Sequence, residues 1–450
     1  MIYLILLLGL ILRLISINQS FWLDEATSGN VVRSFSYGDI VTKFSVGDFH
    51  PPLYYLLLKF WASIFVSNDW VLRIPSVTFC ILTIFIVYKI GYSLKNKRVG
   101  IIVALLLATS SLHVYYSQEA RMYSLATLLV SLSFYSFIKA LESKQKRWQY
   151  FFILSLLGSI YTDYVPVLIL PVYLYLIFKK RLSGIFFPAF FIFILGIIFL
   201  LPLFYTQVTS ALSIGKEGNA WLELLGFSNF KNIFLIAVKF IFGRVSLDNK
   251  IIYGLVSLFL VIIYWGLSLK SVFDKKVRLL MFWLLLPILA AIAVSFFVPI
   301  LSYFRLLFVL PAFYLLIAYS LDKLPEKYFV PLLSVLVIVN ITSTMSYLTQ
   351  EHFQRENWKG AVEFIKNDVG GKDYTLLFPA NSQMEAVKYY WPDSHIIYGQ
   401  NFSDKSKKVY LFRYVWEIFD PNDSTRINLE NLGYKRTSEH NFNSVVVWVY

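Results

Sequence analysis

This chain of 450 residues contains a single cysteine and few charged residues. Its one cysteine, Cys80, lies inside an apolar run, so an intrachain disulfide is excluded and cysteine usage indicates no redox compartment. Charged residues make up only 15% of the chain, whereas hydrophobic residues make up 58% and the mean hydropathy is +0.63. This composition excludes an ordinary soluble domain and predicts a membrane protein with many spans.

The N-terminal segment 1–17 has no basic start and no small-residue cleavage site, so we expect a retained first span and not a signal peptide. Arg13, near its end, is expected to snorkel or to face the protein interior. A span needs about twenty apolar residues. Apolar runs near this length predict about eleven spans, at 1–17, 70–92, 99–114, 122–141, 150–162, 164–179, 185–205, 250–269, 279–299, 305–321 and 329–348.

Two further apolar stretches, 53–66 and 230–243, are shorter, and each contains a lysine, Lys59 or Lys239, which is typical of helices in the membrane interface. With both left unspanned, five basic loops fall on one side, which the positive-inside rule makes cytoplasmic. These loops contain Lys95, Lys97 and Arg98; Lys144, Lys146 and Arg147; Lys179, Lys180 and Arg181; Lys270, Lys275, Lys276 and Arg278; and Lys323 and Lys327. The segments then placed outside are 18–69, 115–121, 206–249, 300–304 and everything after about 349.

The formal net charge of +14 therefore follows from topology and requires no nucleic acid. Residues 1–349 are predicted to form an all-α polytopic membrane domain whose first outer loop is 18–69. The last hundred residues change character, because short apolar runs such as YTLLF, KVYLF and SVVVWVY alternate with helical patterns and polar turns. Those patterns and turns are 358–367, 382–390, Asn381-Ser382 and Asp404-Lys405. We expect 350–450 to be a small α/β domain on the outer face.

The unusual polar residues gather at the outward-facing ends of the predicted spans. They are Asp24 and Glu25 in SFWLDEATSG, His50 in HPPLYY, Arg73, Glu119 and Arg121 in SQEARMY, Asp163 in YTDY, and Arg305 in SYFR. Charges at membrane depth are costly unless they pair or bind a ligand. Their gathering at one face of the membrane therefore predicts a functional site.

These residues also have simpler interpretations as helix caps, as an exposed ion pair worth under about 1 kcal/mol, or as an interface anchor. The caps would be Asp24, His50 and Asp163, the pair Glu119 with Arg121, and the anchor Arg305. For Asp163 we favour capping.

Taken together, the chain resembles integral-membrane glycosyltransferases of the GT-C superfamily, in particular the bacterial members of glycosyltransferase family 39. That family includes protein O-mannosyltransferases and the aminoarabinose transferases of lipid A. The residues that carry the resemblance are Asp24-Glu25, His50-Pro51-Pro52, Arg73 with Pro75, Gln118-Glu119-Ala120-Arg121-Met122-Tyr123, Tyr303 and Arg305 before Pro311, and ENWKGAVEFIK from Glu356. Their order and their shared membrane side make the combination specific.

The resemblance implies transfer of a sugar from a polyprenyl-phosphate carrier to an acceptor on the outer face, with inversion at the anomeric carbon. Asp24 is then the expected general base, and Glu25 either orients the acceptor or holds Asp24. Negative charge grows on the leaving phosphate, so cationic groups at the membrane surface are expected to bind it. The residues expected to bind donor phosphate or substrate are Arg305 and Arg121 first, Arg73 and Lys59 second, and His50, Glu119 and Tyr123 beside them.

Some members of the family use a divalent metal ion and others work without one. The metal-binding groups of Asp24, Glu25, Glu119 and His50 show no compact spacing such as HExxH or DxD, so no metal site is predicted and a divalent cofactor stays open. The chain also has no long soluble insertion of the kind found in eukaryotic protein O-mannosyltransferases. This difference counts against the protein acceptors of those enzymes and leaves a bacterial envelope glycan, lipid or glycoprotein as the acceptor.

The expected location is the plasma membrane, and the expected partners are the lipid-linked donor, the acceptor and membrane lipid. A rival class is a transporter or flippase of lipid-linked sugars. Such proteins hold their charges near the bilayer midplane, often in repeated halves. Here the charges crowd one face and no repeat is visible, which favours an enzyme.

Overall fold

The protein is represented by a computed structural model that describes residues 1–143, 145–179, 183–216, 229–371, 373–399, 402 and 406–450, with the backbone alone in 183–189 and 211–216. Three of the basic loop residues and one predicted turn lie outside the described residues, namely Lys144, Lys180, Arg181 and Asp404-Lys405.

The membrane domain is helical. Its helices are α1 (Ile2–Leu14), α2 (Leu23–Ser34), α3 (Tyr37–Asp39), α4 (Ser45–Gly47), α5 (Leu53–Ile64), α6 (Asp69–Leu94), α7 (Lys97–Thr109), α8 (Ser111–Ser117), α9 (Tyr123–Ser143), α10 (Lys146–Thr162), α11 (Leu170–Lys179), α12 (Ser183–Lys216), α13 (Phe230–Phe242), α14 (Lys250–Leu269), α15 (Arg278–Val294), α16 (Leu310–Leu321) and α17 (Glu326–Thr349). A π-helical turn lies at Ile40–Phe44, and 3₁₀ turns lie at Val165–Ile169, Leu307–Val309 and Glu351–Phe353.

Within the described residues, five helices are long and apolar enough to cross a membrane by themselves: α6, α9, α12 over Phe190–Ser210, α14 and α17. The bent pair α7 and α8 passes the same test together, and shorter apolar helices lie at Ile2–Leu14, Leu53–Ile64, Val165–Lys179, Arg278–Val294 and Leu307–Leu321. Each predicted span overlaps a helix, so the chain is a multi-pass membrane protein, while the count of eleven crossings stays a prediction. The two interfacial stretches form the short helices α5 and α13.

The predicted span 99–114 consists of two helices, α7 and α8. The pair α7–α8 bends by 61°, and Ser110 between them has an extended backbone. Side chains from distant helices supply the hydrogen bonds that the bend leaves open, because Arg13 donates to Ala108 O at 3.0 Å and Asn340 donates to Leu106 O at 3.0 Å. Arg13 is fully buried, so of its two predicted positions the inward-facing one is confirmed.

Three of the basic loops lie together at one end of the helix bundle. Lys95 pairs with Asp322 at 2.6 Å, and Lys323 pairs with Asp274 at 2.5 Å, so the loops that follow α6, α14 and α16 meet. At the opposite end, Arg73 donates to Ile17 O at 2.8 Å, which joins the start of α6 to the end of α1. We call this second end the site end, because the Asp24–Glu25 motif follows α1 there.

The C-terminal region is the predicted small α/β domain. Its described strands β1 (Tyr374–Phe378), β2 (Ile396–Tyr398), β3 (Lys408–Phe412), β4 (Ser438–Phe442) and β5 (Val445–Val449) form one sheet in the order β2-β1-β3-β5-β4. The pairs β1–β2 and β1–β3 are parallel, and β5 is antiparallel to both of its neighbours. Its helices are α18 (Trp358–Val369), α19 (Glu385–Tyr390), α20 (Trp416–Phe419) and α21 (Ser424–Asn431), with a 3₁₀ turn at Asn381–Gln383.

This domain packs on the site end through α19 and α2. Tyr390 accepts a hydrogen bond from Phe21 N at 2.7 Å, and Arg33 donates to Tyr389 O at 3.0 Å. A side chain at Gly29 would reach to 2.5 Å from the Tyr389 ring, so the helices approach each other as closely as glycine allows. The helix that carries Asp24 and Glu25 is therefore held between the membrane domain and the C-terminal domain.

Candidate functional site

The Asp24–Glu25 motif lies in the first turn of α2, a position where carboxylates are favoured by the helix dipole. Trp22 is the N-cap residue and makes no side-chain cap hydrogen bond, so Asp24 does not cap the helix. Successive residues of a helix point about 100° apart. The two carboxylates accordingly enter different surroundings: the Asp24 side chain is 44% exposed and the Glu25 side chain is completely buried.

Glu25 is the centre of a buried ion cluster. Arg73 donates from Nε to Glu25 Oε1 at 2.8 Å and from Nη2 to Oε2 at 2.6 Å, which is a bidentate pair. Ala120 N also donates to Oε1 at 2.8 Å, and Arg355 Nε lies 3.3 Å from Oε2. Burial opposes ionisation of Glu25, but the charges of Arg73 and Arg355 outweigh it and hold the pKa of this carboxyl below its ordinary value.

Arg73 was predicted to bind the donor, but its guanidinium is saturated by protein groups. Besides the two bonds to Glu25, Nη1 donates to Ile17 O at 2.8 Å and to Gln19 O at 2.6 Å, and Nη2 donates to Ser20 O at 3.1 Å. An arginine has five N–H groups, so none remains for a ligand. Arg73 holds the chain between α1 and α2 in place instead.

Glu119 and Arg355 complete this cluster. Arg355 Nη2 donates to Glu119 Oε2 at 3.0 Å, whereas the buried Oε1 has no hydrogen-bond partner among the described residues. Burial raises the pKa of the Glu119 carboxyl, and the nearby charge of Glu25 adds to the effect. The predicted pairing of Glu119 with Arg121 is wrong, because Arg355 is the ion-pair partner of Glu119. We refer to Glu25, Arg73, Glu119 and Arg355 as the buried cluster.

Asp24 faces an open region where the contacts are looser. Its Oδ2 lies 3.5 Å from Arg121 Nη2, and Arg121 Nη1 donates to Tyr55 OH at 2.9 Å. Tyr55 donates in turn to Asp48 Oδ2 at 2.8 Å. The hydrogen bond to Tyr55 therefore holds the Arg121 guanidinium in its position beside the Asp24 carboxylate.

His50 is next to Asp48, the residue that accepts the hydrogen bond of Tyr55. It does not cap α5, whose N-cap residue is Pro52. Its Nδ1 is 3.4 Å from Asp48 Oδ1. Burial opposes ionisation of Asp48, but His50 and Arg121 outweigh it and hold the pKa of this carboxyl below its ordinary value. Lys59 donates to Val32 O at 3.1 Å and so binds the last part of α2.

Two more arginines occupy loops at the site end. Arg305 is partly buried and donates from Nη1 to Pro299 O at 2.5 Å. Arg244, which sequence reasoning missed, is exposed and donates from Nη1 to Tyr115 OH at 2.8 Å. Tyr123 is buried with its ring 5.3 Å from that of Phe304. We refer to Asp24, Arg121, Arg244 and Arg305 as the open rim.

The remaining predictions have separate outcomes. Asp163 Oδ1 accepts from Val165 N at 3.1 Å, so Asp163 binds the first residue of the following 3₁₀ turn, whose N-cap residue is Tyr164. Among the residues that the structure describes, no three His, Cys, Asp or Glu side chains are grouped so as to hold a metal ion. Arg355 and Arg244 gave little sequence signal, since each is a lone arginine whose partners are distant in the chain.

Comparisons with known proteins concern the fold and the family of this chain. Residues 49–208 match the family model described as dolichyl-phosphate-mannose-protein mannosyltransferase. The fold is similar to that of ArnT from Cupriavidus metallidurans bound to undecaprenyl phosphate, with a TM-score of 0.61 and 12% identity over 99% of this chain and 97% of that chain. A comparison with curated proteins found no match in sequence.

The fold is also similar to that of the archaeal oligosaccharyltransferase AglB from Archaeoglobus fulgidus in complex with an inhibitory peptide and a dolichol-phosphate. Here the TM-score is 0.57 and the identity 11%, over 99% of this chain and 73% of that chain. The predicted resemblance to GT-C glycosyltransferases and the predicted fold class are thereby confirmed. The family match supports glycosyltransferase activity in general.

Proposed function

We propose that this chain is an inverting glycosyltransferase that moves a sugar from a polyprenyl-phosphate carrier to an acceptor on the outer face of the membrane, with Asp24 as general base. The observation that carries the proposal is the exposed Asp24 carboxylate beside the fixed guanidinium of Arg121. Glu25, one residue away, has both oxygens bound by Arg73 and cannot serve an acceptor in the same way. Two roles were predicted for Glu25, namely orienting the acceptor and holding Asp24. Its contacts with Arg73 favour the second role.

The chemistry needs a base at the acceptor hydroxyl and cations at the leaving phosphate. Asp24 takes the proton of the acceptor hydroxyl, the acceptor oxygen bonds to the anomeric carbon, and the carbon–oxygen bond to the carrier phosphate breaks. The polyprenyl phosphate leaves with the electron pair of that bond. Guanidinium groups stabilise the negative charge that grows on it.

The open rim supplies those cations. Among the residues that the structure describes, Arg305 donates one hydrogen bond, to Pro299 O, and Arg244 donates one, to Tyr115 OH. Both arginines lie on loops of the site end. Such partly engaged guanidiniums retain donors that a phosphate can take up. We assign donor binding to Arg305, Arg244 and Arg121, and we assign Arg73 to positioning. A polyprenyl-phosphate carrier also fits the ligands of the similar structures, undecaprenyl phosphate and dolichol-phosphate.

The remaining residues surround these groups. The rings of Tyr123 and Phe304 pack against each other beside these groups. His50 contacts Asp48, which accepts from the Tyr55 phenol that binds Arg121. Lys59 binds the end of α2, the helix that contains Asp24. The acceptor is a hydroxyl-bearing glycan, lipid or protein.

The test is sugar transfer by purified Asp24→Asn protein in liposomes. The reaction uses a panel of polyprenyl-phosphate sugars with envelope extract as the acceptor source, and release of free polyprenyl phosphate is measured. Asparagine is nearly isosteric with aspartate but lacks the basic lone pair, so the rate should fall by about 10² to 10⁴. Asp39→Asn is the matched control, because Asp39 is on the same outer loop and pairs with Lys43 at 2.6 Å.

Near-normal transfer by Asp24→Asn would move the base elsewhere. A wild-type protein that carries the donor across the bilayer without cleaving its sugar–phosphate bond would instead support the flippase hypothesis.

A further inference from the structure

Arg355 lies in the short segment that joins the membrane domain to the C-terminal domain, between the 3₁₀ turn Glu351–Phe353 and α18. Its side chain is 1% exposed and lies among residues of the membrane domain. It contacts Glu119 Oε2 at 3.0 Å and Glu25 Oε2 at 3.3 Å, and it donates to Tyr115 OH at 3.1 Å. A residue of this linking segment thus reaches into the buried cluster.

The charges of the buried cluster balance only when Arg355 is present. Glu25 and Glu119 contribute two carboxylates, and Arg73 and Arg355 contribute two guanidiniums. All five N–H groups of Arg73 are already bound to Glu25 and to backbone carbonyls, so the ion-pair partner of Glu119 is Arg355. A buried carboxylate without a partner is strongly unfavourable, and it relieves the cost by taking up a proton or by moving toward water.

Movement of Glu119 would disturb the open rim directly. Glu119 and Arg121 are separated by one residue, Ala120, whose N–H is bound to Glu25. Arg121 is in turn the ion-pair partner of Asp24. The charge of Arg355 therefore holds Glu119 in place, and with it the segment 119–121 that contains Arg121.

The position of Arg355 depends on the docked C-terminal domain. Its backbone N–H donates to Gln19 Oε1 at 3.3 Å, on the membrane-domain side. Its carbonyl accepts from Asn443 Nδ2 at 2.9 Å, and Asn443 lies in the turn between β4 and β5. Arg355 is thus held from both sides, and undocking of the sheet would remove one of its two backbone supports.

We infer that Arg355, which the docked C-terminal domain supports through Asn443, is a positioning residue that holds the Asp24–Arg121 pair in place by neutralising Glu119 within the buried cluster. The inference rests on the proposed function for its activity readout. It does not rest on that function for its structural readout.

The experiment compares Arg355→Gln, Glu119→Gln and the double variant, each as full-length protein in detergent. Arg355→Gln should lower kcat at least about tenfold with little change in the KM for the donor, since a side chain that is 1% exposed does not touch the donor. The double variant removes both charges, so it should recover roughly tenfold of the loss. Arg413→Gln, which removes a buried arginine that pairs with Asp423 within the C-terminal domain, is the matched control and should transfer normally.

Hydrogen exchange of the 118–121 segment gives a second readout that needs no substrate. Exchange there should rise in Arg355→Gln and return toward wild type in the double variant. A double variant no better than Arg355→Gln in either readout would overturn the inference, as would a donor KM that rises while kcat is unchanged. If wild-type protein transfers no sugar, the proposed function fails, while the exchange pattern still decides the role of Arg355.

Discussion

The buried cluster and the open rim use the same kinds of side chain in opposite ways. In the buried cluster, Arg73 binds Glu25 through two bonds of 2.8 and 2.6 Å with no exposure of either side chain. In the open rim, Arg121 lies 3.5 Å from an Asp24 side chain that is 44% exposed. The two carboxylates are adjacent in sequence, and the turn of α2 alone separates their environments.

We expect the buried cluster to affect mainly the stability of the protein and the open rim to affect mainly its activity. Breaking a buried pair leaves an uncompensated charge, which is strongly destabilising, whereas an exposed pair is worth about 1 kcal/mol at most. A group with loose partners can exchange them for a substrate, but a group with saturated partners cannot. The buried cluster is therefore expected to determine whether the site exists, and the open rim to determine what the site does.

The largest expected effect comes from breaking the buried pair. Glu25→Gln should lower the free energy of unfolding by about 3–5 kcal/mol, because Arg73 loses its charged partner. Asp24→Asn should lower it by less, because Asp24 is 44% exposed and lies 3.5 Å from Arg121, and the buried Arg121 keeps its hydrogen bond to Tyr55. Thermal unfolding of both variants in one detergent measures the difference. Equal melting temperatures would show that the two carboxylates do not differ as the structure indicates.

The sequence alone singled out the Asp24-Glu25 motif but not the different surroundings of its two carboxylates. Asp24-Glu25 is a local motif, and charge counting placed it at one membrane end without knowledge of contacts. The saturation of Arg73 was not predicted, because sequence does not show how many acceptors surround a guanidinium. Arg355 was missed because its partner Glu119 is 236 positions away.

The fold shows the same limit. Apolar runs predict helices because helix formation and lipid burial are local requirements, and every predicted span overlaps a helix. The bend at Ser110 was not predicted, since the hydrogen bonds that stabilise it come from Arg13 and Asn340, which are 95 and 234 positions from the carbonyls they bind. A structural feature that depends on a single side chain far away in the chain, such as this bend, could not be predicted from the sequence.

The next largest effect is expected in the open rim. Arg305→Lys keeps the charge but loses the planar fork that suits phosphate, so transfer should fall about tenfold or more with little change in melting temperature. Arg436→Lys is the control, because Arg436 makes an exposed pair with Glu439 at 3.1 Å. Transfer at the wild-type rate would make Arg305 an interface anchor, which is its simpler interpretation.

A smaller effect should appear as a dependence of stability on pH. The folded-state pKa of Glu25 is below its ordinary value of 4.5. Its stabilising contribution is therefore fully present above pH 4.5 and is lost as the pH falls through the folded-state pKa. The difference in melting temperature between wild type and Glu25→Gln should narrow below pH 4.5. A difference that is constant across this range would show that Glu25 is not held ionised by Arg73 and Arg355.

The smallest effect on the protein should come from cysteines placed at exposed asparagines, which together decide on which side of the membrane both regions lie. In a Cys80→Ala background, Asn18→Cys or Asn381→Cys should react with an impermeant thiol reagent in intact spheroplasts, and Asn96→Cys should not. Asn18 lies between Ile17 and Gln19, whose carbonyls bind Arg73, so its labelling reports directly on the side of the buried cluster.

Asn96 is the necessary counterpart in this experiment, because it lies among the basic loops and donates to Asp322 at 3.0 Å. Its side chain caps α7, so replacing it should cost about 1 kcal/mol, which leaves the protein folded and the comparison valid. Membranes opened with detergent should label all three positions, which shows that each cysteine is reachable. Labelling of Asn96→Cys alone in intact spheroplasts would invert the orientation, and Asp24 and its rim of arginines would then act on the cytoplasmic face.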